Sequence, residues 1–409
     1  MPRRALVLVA AGILFLVTVG SAAALDRITT DRPDEAVGPQ VHLVYALPSD
    51  AQDGALDTNG TVGAWMAAFN DWLAAGTGGV KLRVDTFAGQ PDVSFIRLAE
   101  TDATLTGQGS TANDTILGEL RAAGLADPNK AYAVVEDGGS NACGWGGGGR
   151  PLGVLYLHAC SQVAWQYVMG HELFHVFGAV NSCAPHYADG HVADTEVDLM
   201  YRFAYRGIPM LDPGHDDYYG PPGDDHLPAS CPSSANVANS LFLTSHPFYR
   251  LSVTIQGNGA VSLPGVFVCT PALPAGCAPA LVGGTDLQLV GVADRGSHFL
   301  GWSGGGCTGT GECDRTLDGD VAVTAMFAAN PTARVVVQGK GRVDVRGVGA
   351  CAKAACSLTI AYDRATTMRA VPASHWRFVG WAGACKGKTP ACTVKATSNV
   401  TVRAVFARL

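Results

Sequence analysis

A chain of 409 residues with a formal net charge of −7 exceeds what one hydrophobic core organises, so two or three domains are expected. Only 15% of the side chains are charged, and no long basic run is present to track a phosphate backbone, which argues against nucleic acid as a partner.

The chain opens on Met1-Pro-Arg-Arg, an apolar run from Ala5 to Val19 and the small residues Gly20-Ser-Ala-Ala-Ala24. That order is the one a secretory signal peptide needs, with cleavage after Ala23 or Ala24. Residues 1–24 are therefore read as a signal peptide, and the mature chain as secreted and extracellular with no membrane contact. An uncleaved anchor is the competing reading, because the stretch counted out to Leu25 is about long enough to span a bilayer. Twelve cysteines, an even number in an exported chain, imply a disulfide framework. Eight form close pairs: Cys269 with Cys277, Cys307 with Cys313, Cys351 with Cys356, Cys385 with Cys392. Cys143, Cys160, Cys183 and Cys231 allow three pairings, of which Cys143 with Cys160 and Cys183 with Cys231 close the shorter loops.

From residue 25 to 247, strand-like runs at Val41 to Ala46, Val80 to Phe87, Val93 to Leu98, Ala131 to Glu136 and Leu152 to Leu157 interleave with two helical patterns. One pattern runs from Thr61 to Ala74 with Trp65, Phe69 and Trp72 on one face; the other runs from Gln162 to Phe177. The order predicts a mixed α/β domain. Gly144-Trp-Gly-Gly-Gly-Gly-Arg150 lacks the P-loop lysine and is read as a loop, not a phosphate cradle.

Within the second helical pattern stands His171-Glu172-Leu173-Phe174-His175. Residues four apart share a helix face, so both imidazoles can reach one zinc ion while Glu172 stands beside it as a general base for metal-activated water. Gly178 follows three residues after His175, where the helix must end. His-Glu-x-x-His-x-x-Gly followed by Asp198-Leu-Met-Tyr201 resembles the metzincin zinc peptidases, in which a methionine turn lies beneath the metal. The resemblance covers residues 40–247 and implies a metzincin-like catalytic domain with a twisted sheet above an active-site helix. It also implies a third ligand three residues after the glycine, where this chain has Asn181, a poor zinc ligand. The third ligand is therefore sought downstream: His191 is preferred, since it follows a turn-forming glycine and precedes the methionine-turn segment, with His186 the alternative and Asp194 or Asp198 as oxygen donors. Leu211 to Tyr219 contains Asp212, His215, Asp216 and Asp217, a candidate calcium loop without EF-hand spacing, or else a solvated acidic loop. Tyr201 and Tyr218 are candidates to stabilise an oxyanion near the zinc.

Past residue 248 the chain repeats itself. Leu251-Ser-Val-Thr-Ile-Gln-Gly-Asn-Gly-Ala-Val matches Arg334-Val-Val-Val-Gln-Gly-Lys-Gly-Arg-Val, Trp302 matches Trp381, and Phe327 matches Phe406. Alternating short runs between glycine-rich turns predict two all-β modules, residues 248–329 and 330–409, stapled by their local disulfides. The pattern of valine-rich strand, Gly-x-Gly turn, cysteine pairs and Phe/Val-Gly-Trp resembles the divergent B-type repeats of internalin-like surface proteins. It implies spacing or attachment, with cell-surface or glycan contact, rather than catalysis. Trp302 and Trp381 are read as core anchors, with ligand stacking the alternative. The expected function is a secreted zinc metalloendopeptidase acting on protein or peptide substrates. The competing expectation is an adhesion or cell-wall-binding protein that uses the zinc fold as a scaffold.

Overall fold

The structure is a computed structural model that describes residues 26–272 and 277–409; the expected signal peptide, residues 1–24, lies outside them. Two compact units meet at Ser245 and His246. Among the described residues no helix is long and apolar enough to cross a membrane.

The first unit is a five-stranded sheet with helices on both faces. We label its elements β1 (Gln40–Leu47), α1 (Thr61–Thr77), β2 (Val93–Arg97), α2 (Asp102–Gln108), α3 (Ala112–Ala122), β3 (Lys130–Glu136), β4 (Gly144–Gly146), β5 (Leu152–Tyr156) and α4 (Trp165–Val176). The sheet order is β2-β1-β3-β5-β4, with all neighbours parallel except the edge strand β4, which runs antiparallel to β5. β1 and β3 are buried along their whole length, as strands covered on both faces must be. Val41, Leu43, Tyr45, Ala131, Ala133, Val135 and Leu155 face α1 and α4, where Phe69, Leu73, Leu173 and Phe174 complete the core. Val44, Ala46, Tyr132, Val134, Val154 and Tyr156 face α2 and α3.

Four elements differ from the sequence expectation. The helix expected from Gln162 starts at Trp165, because Gln162 has φ of 61° and Ala164 is extended. The strand expected over Val80 to Phe87 is reduced to Thr86–Phe87 and two isolated bridges, at Leu82 and Val84. Helices α2 and α3 were not expected; Gly107 and Gly118 dilute their periodicity, and burial of Leu105, Ile116 and Leu120 against the sheet holds them. The Gly144 to Arg150 stretch is not simply a loop, since its first three residues are β4. A Cβ on Gly146 would stand 2.1 Å from the Glu172 carbonyl oxygen, and one on Gly153 of β5 would stand 2.8 Å from Glu172 Cβ. Glycine there lets β4 and β5 lie directly on α4.

The second unit holds two modules of the same build. In the first, one sheet orders Ala280–Val282, Phe248–Gln256, Val321–Ala329 and Ser297–Ser303, and the other orders Phe267–Cys269, Gly259–Leu263, Asp286–Ala293 and Cys313–Thr316. The second module repeats the arrangement, with Ala355–Thr359, Thr332–Gln338, Val400–Arg408 and Trp376–Gly383 in one sheet. Its other sheet holds Gly349–Cys351, Gly341–Val345, Ala365–Pro372 and Ala391–Lys395. Trp302 and Trp381 are buried, and each indole N–H donates to a backbone carbonyl, of Gly311 and of Thr389. Both are core anchors. All six disulfides form in the expected pairing, including Cys143–Cys160 and Cys183–Cys231.

Candidate metal centre

Helix α4 carries His171 and His175 one turn apart, and the chain then stops at Gly178, whose φ of 95° turns it away. The segment returns as a short ribbon of Tyr187–Ala188 and His191–Val192. The Val192 N–H donates to the Met200 carbonyl, which fastens the ribbon to the Asp198–Tyr201 turn. As a result His171, His175 and His191 offer ligand nitrogens within 4.8 Å of one another.

Two of the three rings are oriented from outside the cluster. His171 Nδ1 donates to the Leu199 carbonyl at 2.7 Å, and His191 Nδ1 donates to the Asp189 carbonyl at 3.0 Å. Each therefore keeps a bare Nε2 for the interior. His171 Nε2 and His175 Nε2 stand 3.1 Å apart. Two nitrogens bound tetrahedrally to one zinc at ordinary bond lengths are separated by about 3.3 Å, so this pair and the donor set fit the ion. Burial pushes the His171 imidazole down to about 4, and it lowers His175 and His191 as well, so all three are neutral, the form that binds metal.

Glu172 lies between α4 and the glycine strands. It is buried, and a Cβ on Gly144 would stand 2.5 Å from its Oε1. Desolvation pushes its carboxyl up to about 8, the range suited to a group that exchanges a proton near neutral pH. Met200, within the Asp198–Tyr201 turn, is fully buried, and its N–H donates to Asp198 Oδ1.

The other candidates lie elsewhere. His186 Nδ1 pairs with Asp217 at 3.0 Å, outside the three-histidine group. Asn181 receives the Cys183 N–H on its side-chain oxygen. Asp198 accepts from the Met200 N–H and the Tyr218 hydroxyl on Oδ1, its buried Oδ2 has no partner, and it is not in the three-histidine group. Tyr218 is fully buried, donating to Asp198 and accepting from the Asp212 N–H, so it has no hydroxyl to offer an oxyanion. Tyr201 is half-buried beside Phe203. In the acidic loop, Asp212, Asp216 and Asp217 come within 4.8 Å of one another, but Asp212 accepts the N–H groups of residues 216 to 219 and acts as the hub of a turn. Sequence reasoning missed the glycines of β4 and β5 that seat Glu172, and the Leu199 carbonyl that orients His171; neither carries a side-chain signal.

Residues 249–331 and 343–409 match the family described as the divergent InlB B-repeat domain. No curated protein matches the sequence. Among solved structures, the pilus adhesin SpaC from Lactobacillus rhamnosus GG, in its open conformation, is similar at 12% identity with a TM-score of 0.21, over 39% of this chain and 31% of that one. The match thus spans about a third of the adhesin's length. OgpA from Akkermansia muciniphila is similar at 12% identity with a TM-score of 0.30, over 85% of this chain and 91% of that one. Both scores lie below the level at which two chains share a fold. The C-terminal part of the chain carries divergent InlB B-repeats.

Proposed function

We propose that the chain is a secreted zinc-dependent endopeptidase whose catalytic domain is metzincin-like and whose B-repeats hold it at a surface. The observation that carries this reading is the convergence of the His171, His175 and His191 nitrogens at a helix that also carries the buried Glu172. A structural zinc site needs ligands only, so a buried glutamate following His171 directly in the chain favours a hydrolytic role. Zinc, when bound, supplies Lewis acidity and brings the pKa of water close to neutral. His171 and His191 are held by the Leu199 and Asp189 carbonyls, so their rings need no reorganisation on binding it. Glu172 takes up a proton from water and returns it to the departing amine. β4 is the edge strand of the sheet and Gly147 lies against His175, which gives an extended peptide a backbone to pair with beside the site. The six disulfides and the repeat family support an extracellular place of action.

The test is zinc content by elemental analysis with casein hydrolysis on the same samples of secreted protein. One zinc per chain and proteolysis that disappears in Glu172→Gln while the metal stays is the expected result. No zinc in the wild-type protein overturns the reading, and zinc with full activity in Glu172→Gln removes the general base.

A further inference from the structure

Past the Asp198–Tyr201 turn the chain makes a loop that returns to where it began. The Leu199 N–H donates to the Met210 carbonyl at 2.8 Å, and the Met210 N–H donates to the Val197 carbonyl at 2.8 Å. The Trp72 indole N–H holds the returning arm at the Pro209 carbonyl. The foot of the loop is thus Leu199, whose carbonyl orients His171, and Tyr201 bridges to Val192, the chain neighbour of His191. Both arms are fixed beside the metal centre, while residues 202–208 are all exposed.

The loop differs in charge from the rest of the chain. No acidic residue occurs between Asp198 and Asp212, and the stretch carries Arg202 and Arg206 in a chain whose net charge is −7. Phe203 is 69% exposed and Ile208 73%, apolar surface of the kind that marks a contact site. Arg202 follows Tyr201 directly, and its charge reaches His191: after burial, it is the other influence that lowers that imidazole. Asp189 acts on the same ring in the opposite sense, yet among the described residues Arg202 makes no salt bridge with it or with any other carboxylate. An uncompensated guanidinium beside three histidines gathered for a cation is repelled by that cation, and an anion arriving next to it relieves the repulsion.

We infer that Arg202 makes the site selective for polypeptides with an aspartate or glutamate beside the bond to be cut, with Phe203 and Ile208 meeting apolar residues of the same substrate. The inference rests on the peptidase reading. A guanidinium takes a carboxylate through two parallel N–H bonds, whereas an amide offers it a single carbonyl oxygen and no charge. Complementary charge of this kind sets which partner is accepted. An arginine that stabilised the oxyanion instead would act on every substrate alike.

The test gives the full secreted chain a mixture of tryptic casein peptides and reads the cut sites by mass spectrometry, for wild type and for Arg202→Gln. At one position flanking the cut, Asp and Glu are expected to exceed Asn and Gln by about tenfold after correction for abundance. The excess should disappear in Arg202→Gln with bound zinc retained, and Arg202→Lys should keep part of it, since the charge remains without the fork. Equal use of acidic and amide residues by the wild-type chain overturns the inference without recourse to any variant. So does an excess that survives Arg202→Gln, and so does a loss in Arg202→Gln that falls on acidic and neutral sites alike. The peptides retained by zinc-loaded Glu172→Gln are identified in parallel, which reads selection without hydrolysis. Retention enriched in Asp and Glu, with no cuts by the wild-type chain, would refute the peptidase reading and uphold the role of Arg202; no cuts and no enrichment refute both.

Discussion

Gly170 of α4 precedes the first candidate ligand and faces α1 at very close range. A Cβ there would stand 1.9 Å from Phe69 Cε2 and 2.3 Å from Cζ. Phe69 cannot retreat: it is 0% exposed, with Trp72 at 5.3 Å and Phe174 at 6.0 Å between ring centroids. In an exposed helix, Gly→Ala stabilises by about 1 kcal/mol through propensity. Here the methyl would stand at 1.9 Å where ordinary contact is 3.4–4 Å, and overpacking a full core costs about 1–3 kcal/mol. The overlap places this site at the upper end, so Gly170→Ala is expected to destabilise the first unit by about 1–2 kcal/mol net, a fall of roughly 2–8 °C in its melting temperature. Differential scanning calorimetry of the full chain measures it, with the B-repeats as an internal reference. Gly170→Ala combined with Phe69→Leu is expected to recover part of the loss, because the smaller side chain vacates the overlap and the two positions couple. A Gly170→Ala protein that melts at or above the wild-type temperature refutes the close approach of α1 and α4, and with it the packing that fixes where His171 stands.

His191→Ala is expected to lose bound zinc and His186→Ala to keep it, since His186 is tied to Asp217 outside the group; elemental analysis decides, and loss at His186 alone would reverse the assignment. Glu136 is pushed up to about 8 by burial, then by Asp102 and Asp137. Because the folded state binds this proton more tightly than the unfolded chain, its contribution is complete below the unfolded carboxyl pKa and is lost as pH rises through about 8. The urea midpoint of Glu136→Gln relative to wild type should therefore rise between pH 5 and pH 9, and a constant difference would contradict the burial. Cys183–Cys231 closes a separation of 48 residues around His191 and Met200, and the chain-entropy model gives its removal as a loss of about 4 kcal/mol. Cys183→Ser with Cys231→Ser should lower both the melting temperature of the first unit and its zinc occupancy, and unchanged occupancy would show that the ribbon holds without the staple. Trp381→Ala should unfold the second repeat module, by about 3–5 kcal/mol for an emptied aromatic site, as read by loss of its near-ultraviolet signal.

The sequence by itself determined what depends on short spacing. Two histidines and a glutamate within five residues of a helical pattern share a face by helix geometry, and Gly178 stops that helix wherever the rest of the chain goes. The local cysteine pairs and the doubled Phe/Val-Gly-Trp pattern likewise specify each β module from within, because such short loops leave few other partners. Alternation and apolar runs located β1, β2, β3 and β5 to within a residue or two. What the sequence left open was long-range. Whether His186 or His191 joins the helix depends on a ribbon fastened through Val192 to the backbone of Met200 and Tyr201, and backbone groups look alike in every sequence. The glycines of β4 read as a flexible loop until the sheet is laid on α4, when the missing side chains become the reason the two surfaces can touch. Asp50, Asp53, Asp102, Asp137 and His158 line one cavity at the strand ends although they are spread over about a hundred residues, so no local pattern announces it. Periodicity reports which face of an element is apolar, whereas only the tertiary structure decides which ends and edges come together, because those meetings are fixed by the packing of the whole sheet.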